Sequence, residues 1–238
     1  EDIFYFVKRH TKLPLYEIKQ TVLPIIQTAS EIPHFFHLFY QLQSADDYTY
    51  RHNIGVGLIA TLIGKWLSLN EEELTALTIA ATLHDIGKTK IPTDILNKPG
   101  KLTKSEYEIM KKHTIQGYEI LKNTEGINHE ISLVALQHHE REDGKGYPFG
   151  LKGSKISYFS KIVAVADVFH AMSSKRVYHE ATPFYQVLRQ MNEDMFGKLS
   201  PTILMPFLHQ IMNALIGQHV LLTDGRIGVI KFINPYDL

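Results

Sequence analysis

Seven histidine and aspartate residues recur near the ends of predicted helices, and they are the side chains best suited to chemistry. They are His52, His84, Asp85, His113, His138, His139 and Asp167. With adjacent pairs counted once, successive positions lie about 25 to 32 residues apart, roughly one helix-turn-helix, so the helices of a bundle can direct them into one pocket. Five imidazoles and two carboxylates suit iron, manganese or zinc rather than calcium. Seven ligands are more than one four-coordinate ion can bind, so the set predicts a two-metal site bridged by Asp85.

Each of these residues is a weak signal when taken alone. An adjacent His84-Asp85 pair is common by chance, and a single histidine such as His52 or His113 is more often a core or surface residue. Further histidines lack this setting and are interpreted as structural or solvated: His10, His34, His37, His129, His209 and His219.

The composition is that of a globular protein with no marked charge. The 238 residues include 25 Lys+Arg, 25 Asp+Glu and no cysteine, with 44% hydrophobic residues. The absence of cysteine excludes disulfide scaffolds, thiolate metal sites and cysteine nucleophiles. Neutral net charge argues against binding to a nucleic-acid polymer. No apolar run approaches the roughly 18 residues of a membrane span, so we expect no membrane segment in this chain.

Helical patterns dominate the chain and position these residues. Apolar residues with a 3.6-residue period predict a helix from Asn53 to Leu67, with His52 at its start. Asn70 with Glu73 forms a capping-box pattern that opens a helix ending at His84-Asp85, and Thr103 with Glu106 opens another that runs toward His113. Further helices are predicted over 130–139 and 162–169, and after Thr182-Pro183 and Ser200-Pro201.

Three other segments complete the predicted organisation. Pro14, Pro24 and Pro33 divide the first stretch into several short helices. Residues 143–153 are rich in glycine and form a loop. Asp224-Gly225 between apolar runs predicts a β-hairpin with a type I′ turn. We therefore predict an all-α protein with a small C-terminal β-hairpin, divided into an N-terminal helical segment (1–44), a catalytic helical domain (45–215) and a hairpin appendage (216–238).

Two groups of motifs resemble a known family. The first resembles the HD superfamily of metal-dependent phosphohydrolases, and it comprises His84-Asp85-Ile86-Gly87-Lys88 and Lys98-Pro99-Gly100-Lys101-Leu102-Thr103. The second narrows the resemblance to the HD-GYP family, and it comprises His138-His139-Glu140-Arg141, Asp143-Gly144 and Gly146-Tyr147-Pro148. The resemblance runs from about Tyr50 to Tyr178.

The resemblance implies an HD-type helical bundle that hydrolyses the bacterial second messenger cyclic di-GMP to pGpG or GMP with iron or manganese. All seven histidine and aspartate positions named above match the metal ligands of the family. Lys88 matches the lysine that faces the scissile phosphate. Tyr147 matches the loop that approaches the ligand, and Arg176 matches a basic residue that meets the substrate phosphates.

Three departures from the family pattern refine these expectations. Tyr48 stands where members with a third metal carry glutamate, so we expect two metals. His170 replaces an aspartate one helical turn after Asp167, and it either adds a nitrogen near the metals or removes an acidic contact. His179, in Arg176-Val177-Tyr178-His179, replaces a basic residue and leaves the preferred cyclic dinucleotide open.

The chemistry of the set agrees with phosphodiester hydrolysis. Two divalent ions neutralise the phosphodiester and lower the pKa of water from 15.7 toward about 7, and ligands that are mostly neutral imidazole preserve that positive charge. Lys88 can stabilise charge on the phosphoryl oxygens, although a lysine here could instead be a cation at a helix C-terminus.

Three hypotheses about function follow. The first is a cyclic di-GMP phosphodiesterase, the second a hydrolase of another cyclic dinucleotide such as 3′,3′-cGAMP or of another nucleotide phosphate ester, and the third a cyclic di-GMP receptor without turnover. We expect a cytoplasmic location. The N-terminal helices could serve a homodimer or an upstream sensor region.

Overall fold

The computed structural model describes residue 7 and residues 13–30, 48–173, 184–194, 197–222 and 224–234, with the side chains of 48–51, 184 and 194 excepted. Helices account for most of these residues, and a two-stranded antiparallel sheet follows them. The predicted all-α fold with a small hairpin is confirmed. Arg176 and His179 lie outside the described residues, as do His10, His34 and His37.

The first described helix, α1, passes through Pro24 without a break. It consists of Leu15–Glu17, the π-helical Ile18–Val22 and Leu23–Ala29. The predicted interruption at Pro24 is wrong, because proline occupies the beginning of the last piece, where its missing N–H is tolerated. The wider π-helical turn, Ile18–Val22, directly precedes this last piece of α1.

The remaining helices include all those that the sequence predicts beyond the N-terminal segment. They are α2 (Tyr48–Trp66), α3 (Glu71–Leu83), α4 (Thr93–Leu96), α5 (Lys104–Lys111), α6 (His113–Lys122), α7 (His129–Gln137), α8 (Tyr158–Ser173), α9 (Phe184–Asp194) and α10 (Pro201–Leu215). The sequence does not predict α4 and α6. Short 3₁₀ turns occupy Ile86–Lys90 and Gly153–Lys155. None of the helices in the described ranges is long and apolar enough to cross a membrane.

Side-chain caps fix where two of these helices begin. Asn70 accepts a hydrogen bond from the Glu73 backbone N–H while the Glu73 carboxylate accepts one from the Asn70 N–H. Thr103 and Glu106 form the same reciprocal pair at the start of α5. Both predicted capping boxes are confirmed, since each satisfies two N–H groups that a helix start leaves without an intrahelical partner.

The core lies where α2 packs against α3 and α8, and where α7 packs against α3, α6 and α8. Its side chains are aliphatic with a few aromatic rings, and Phe169 meets Phe207 edge to face at 5.0 Å between ring centroids. This packing brings the C-terminal end of α3 beside the middle of α8 and the start of α6, which are the segments that carry the predicted ligands.

The C-terminal hairpin exists, but its predicted turn type is wrong. Strand β1 (His219–Leu221) pairs with β2 (Ile227–Val229), and Leu221 faces Ile227. Gly225 has a positive φ of 84°, but the Leu222 N–H donates to the Arg226 carbonyl oxygen, so three residues lie between this pair instead of the two of a type I′ hairpin. The Asp224 carboxylate accepts hydrogen bonds from the backbone N–H and the Nε of Arg226. The domain boundaries at 44 and 215 stay predictions.

Candidate functional site

The end of α3 delivers His84 and Asp85 into the centre of the bundle. His84 is the last residue in helical conformation, and Asp85 leads into the 3₁₀ turn. Gly87 in that turn lies against α6, where an added Cβ would be 1.9 Å from the His113 carbonyl oxygen and 2.5 Å from the Gly117 nitrogen. Glycine is therefore required for this close approach, which places Asp85 beside His113.

The Asp85 carboxylate lies between two pairs of histidines. Its Oδ2 is 3.3 Å from His84 Nε2 and 3.7 Å from His52 Nε2. Its Oδ1 is 3.4 Å from His113 Nε2 and 3.8 Å from His138 Nε2. All five residues are buried, so one carboxylate is shared by ligands from four helical segments.

These residues form two clusters with metal-binding geometry that have Asp85 in common. The first contains His52, His84 and Asp85, and the second contains Asp85, His113, His138 and His139, with the candidate ligand atoms of each within 4.8 Å of one another. Asp167 Oδ1 lies 3.1 Å from His52 Nε2, beside the first cluster. The structure therefore brings together all seven residues that the sequence predicts as ligands.

Backbone carbonyls orient three of the ligand histidines. His84 directs Nδ1 to the Ala81 oxygen at 2.7 Å, and His113 directs Nδ1 to the Met110 oxygen at 2.7 Å. His138 directs Nδ1 to the oxygens of Val134 and Ala135 at 3.0 and 3.1 Å. An Nδ1–H that donates to a carbonyl leaves the lone pair on Nε2, the nitrogen that faces Asp85 in each case.

Two buried polar atoms support a cation at this position. Within the described part of the chain, His84 Nε2 and Asp85 Oδ1 have no hydrogen-bond partner although both are buried. Such atoms are rare in folded proteins because desolvation without a partner is costly. A divalent transition metal would satisfy both, and a nitrogen-rich set with carboxylate oxygens is the donor chemistry that such ions prefer.

The charge states of His138, His139 and Asp85 also suit metal binding, whereas at His84 the nearby Asp85 outweighs the effect of burial and raises the pKa of the imidazole. Burial lowers the pKa of His138 well below its ordinary value and that of His139 to about 3, so both imidazoles are neutral near pH 7. Burial alone would raise the pKa of Asp85, but Lys88 and His84 outweigh it and hold that pKa well below its usual range. Metal ligands must be neutral imidazoles and ionised carboxylates.

A cleft of about 280 Å³ opens beside the second cluster. Metal-cluster residues, aromatic rings and cations line it, among them His138, His139, Asp167, Tyr107, Tyr147, Arg141, Lys145 and Lys198. The Tyr147 ring lies 4.6 Å from the His139 ring, and its backbone N–H donates to the His139 carbonyl oxygen at 3.2 Å. The loop that carries Tyr147 therefore folds back onto His139, a candidate metal ligand, and its approach to a substrate stays a prediction.

Sequence reasoning assigned no role to Glu140 or Tyr107, and the structure places both at the cleft. The buried Glu140 carboxylate accepts hydrogen bonds from the backbone N–H groups of Phe149 and Leu151 at 2.7 and 2.8 Å. Tyr107, on α5, is 47% exposed and meets the Tyr147 ring at 6.2 Å. The one signal for Glu140 is its place inside the His-His-Glu-Arg motif.

A family model described as "HD domain" matches residues 33–202, which is most of the chain. The chain belongs to the HD-domain family. This family binds divalent metals, and the histidine-aspartate clusters of this HD domain are placed to do so. The narrower resemblance to HD-GYP proteins is confirmed as well.

Relatives of known description agree with this membership. A cyclic di-GMP phosphodiesterase of Pseudomonas aeruginosa is 35% identical over 190 residues, covering 80% of this chain and 46% of that protein. A 3′3′-cGAMP-specific phosphodiesterase of Vibrio cholerae is 35% identical over 154 residues, covering 65% of this chain and 33% of that protein. The HD domain described here therefore spans less than half the length of these relatives.

A solved structure shares the fold. A Bdellovibrio bacteriovorus protein described as HDG"Y"P superposes with a TM-score of 0.71 at 17% identity, covering 87% of this chain and 67% of that one. At this identity the likeness concerns the fold of the HD domain and not its substrate.

Proposed function

We propose that this HD domain is a metal-dependent phosphodiesterase that hydrolyses cyclic di-GMP to pGpG, GMP or both. The observation that carries the proposal is the Asp85 carboxylate, whose two oxygens each face a different pair of histidines. A cleft lined by cations and aromatic rings adjoins this carboxylate cluster. A cyclic di-GMP phosphodiesterase is among the relatives that cover most of the chain.

The two clusters would hold two metal ions, with iron or manganese the expected elements. His52, His84, Asp85 and Asp167 would hold one ion, and Asp85, His113, His138 and His139 the other. Two such ions supply the positive charge that an anionic phosphodiester requires and make hydroxide available near neutral pH. Tyr48 in place of a further glutamate favours two ions over three.

Residues of the chain itself would bind the phosphate and stabilise the charge that develops on it. Imidazole ligands carry no negative charge, so they would leave the positive charge of bound ions largely uncancelled for an anionic phosphate. Lys88 donates from Nζ to Asp85 Oδ2 at 2.5 Å, which holds its ammonium group at the edge of the centre. A cation at this position stabilises charge that develops on the phosphoryl oxygens.

The cleft supplies contacts for the rest of a cyclic dinucleotide. Burial raises the pKa of Tyr147 above its ordinary value, so its hydroxyl stays protonated and can donate to a phosphate. The exposed ring of Tyr107 offers a stacking surface for a base. Lys145 and Lys198 line the same cleft and suit an anionic ligand. Arg176 lies outside the described residues, and its contact with a substrate phosphate stays a prediction.

A second candidate substrate is 3′,3′-cGAMP. A cGAMP-specific phosphodiesterase is among the relatives of this chain, and His170 and His179 depart from the family pattern. Because the two substrates differ in one base, discrimination would come from the stacking and polar contacts of the cleft. The homodimer, the upstream sensor and the cytoplasmic location stay predictions.

A product assay tests the proposal. Protein loaded anaerobically with Fe(II) or Mn(II) is incubated with cyclic di-GMP, with 3′,3′-cGAMP and with both together, and the products are separated by chromatography. We expect metal-dependent formation of pGpG or GMP, with cyclic di-GMP the preferred substrate in competition. If the protein prefers 3′,3′-cGAMP, that dinucleotide replaces cyclic di-GMP as the proposed substrate. If metal-loaded protein binds the dinucleotides saturably but forms no product, hydrolysis is contradicted and a receptor is indicated.

A further inference from the structure

His52 differs from the ligand histidines that backbone carbonyls orient. Its Nδ1 faces the Nδ1 of His170 at 3.1 Å, across 118 residues of sequence, and the two rings meet edge to face with centroids 5.0 Å apart. His84, His113 and His138 use a backbone carbonyl three or four residues earlier in the chain at the equivalent position. His52 lies near the beginning of α2, so its orientation depends on a side chain from α8.

The fold provides a fitted space for the His170 ring. His170 is 4% exposed and lies on α8 one turn after Asp167. Gly55, one turn after His52 on α2, leaves room for it, because an added Cβ at Gly55 would be 2.2 Å from His170 Nε2 and 2.3 Å from its Cδ2. The ring is therefore enclosed between the His52 imidazole and the backbone of α2.

We propose that His170 is a positioning residue that accepts the Nδ1–H of His52 and thereby holds His52 Nε2 as a metal ligand. This inference rests on the metal site of the proposed function. A neutral imidazole with its hydrogen on Nε2 has a lone pair on Nδ1 and can accept this bond. The bond fixes the tautomer of His52 and directs Nε2 toward Asp167 Oδ1, 3.1 Å away.

The geometry separates this role from the two that the sequence left open. His170 belongs to neither cluster with metal-binding geometry in the described residues, and its Nδ1 meets the side of His52 opposite to the carboxylates. It is therefore not an added ligand. His170 also does not remove a contact, because its Nδ1 can accept the hydrogen bond that a carboxylate at this position could accept.

The test measures Mn(II) binding by the metal-free protein, with free Mn(II) followed by its EPR signal. We expect two ions per wild-type chain. His170→Ala should weaken one of them by roughly 10- to 100-fold, the magnitude typical of lost outer-shell partners, and leave the other unchanged. His170→Asp, which restores an acceptor, should recover most of the affinity. His209→Ala, at an exposed histidine on α10, is the matched control.

Gly55→Ala supplies an independent arm. Alanine favours a helix over glycine, so any loss of affinity arises from displacement of His170. We expect Gly55→Ala to weaken the same ion in the wild-type background and to add little in a His170→Ala background, where the space is empty. With the diamagnetic ion Zn(II) bound, ¹⁵N NMR should show the His52 hydrogen on Nδ1, and this signal should change in His170→Ala.

The outcomes distinguish this inference from the proposed function. Wild-type protein that binds no Mn(II) would contradict both. Two ions in the wild type with unchanged affinities in His170→Ala would overturn the positioning role alone. Equal weakening of both ions together with a lowered Tm of the metal-free variant would also overturn it, because that result marks a general structural role.

Discussion

Lys88 Nζ donates a hydrogen bond to Asp85 Oδ2 at 2.5 Å. The two residues are three positions apart at the end of α3, and the lysine side chain is 26% exposed while the aspartate is buried. The carboxylate that faces both histidine pairs therefore also determines where this ammonium group lies, at the border between the buried cluster and solvent.

Lys88→Met should reduce kcat by roughly 10²- to 10³-fold, the usual loss for one group that stabilises transition-state charge. Metal content should be unchanged, because Lys88 is not a ligand. Steady-state kinetics on metal-loaded protein measure this, with Lys90→Met in the same 3₁₀ turn as the exposed control. A normal kcat in Lys88→Met would show that this cation does not act on the phosphate.

Glu140→Gln should lower the free energy of unfolding by about 1–3 kcal/mol, since one loop N–H would lose its acceptor inside the protein. The Michaelis constant should rise as well, because Glu140 holds the loop that carries Tyr147. Urea denaturation and kinetics test both effects. Glu130→Gln, at an exposed position of α7, should change stability by less than about 0.5 kcal/mol, and equal effects in the two variants would contradict the anchoring role.

Tyr107→Ala should raise the Michaelis constant for a cyclic dinucleotide about 5- to 150-fold, corresponding to about 1–3 kcal/mol for stacking of one base. Tyr107→Phe keeps the ring and should recover most of the wild-type affinity, although it loses the side-chain hydrogen bond with Tyr147. Tyr158→Ala serves as the control, because Tyr158 is 46% exposed but does not line the cleft. Equal constants in Tyr107→Ala and Tyr158→Ala would exclude stacking on Tyr107.

We expect Glu106 to make the stability of the folded protein depend on pH, because its carboxylate caps α5, the helix that carries Tyr107. Its hydrogen bonds with Lys98 and with the Thr103 N–H lower its pKa from an ordinary 4.5 to about 2. The ionised form therefore stabilises the folded protein above about pH 4.5, and this contribution is lost as the pH falls toward 2. NMR titration should place the midpoint near 2 in the wild type and higher in Lys98→Met, and identical midpoints would contradict the assignment.

The capping boxes at Asn70 and Thr103 were predictable from the sequence because each acts within four residues. The candidate ligand positions were predictable for another reason, since their spacing matches that of successive helices in a bundle. The His52–His170 contact was not predictable, since it joins residues 118 positions apart through the packing of α2 on α8. The hairpin turn was also missed, because the backbone pair of Leu222 and Arg226 closes a loop one residue longer than the type I′ turn predicted at Asp224-Gly225.

Glu140 illustrates a further limit of sequence reasoning. Its position within a motif gives no indication that the carboxylate is buried and accepts two backbone N–H groups nine and eleven residues further along the chain. Only the folded loop shows which donors lack a backbone acceptor.

The metal content of Asp85→Asn tests the shared-carboxylate centre most directly. Wild-type protein, Asp85→Asn and the exposed control Asp94→Asn are loaded anaerobically with Fe(II) or Mn(II), desalted and analysed for metal. We expect two ions per chain in the wild type and in Asp94→Asn, and a loss of both in Asp85→Asn because each cluster uses an oxygen of Asp85. Two ions retained in Asp85→Asn would contradict the two-metal centre proposed for this HD domain.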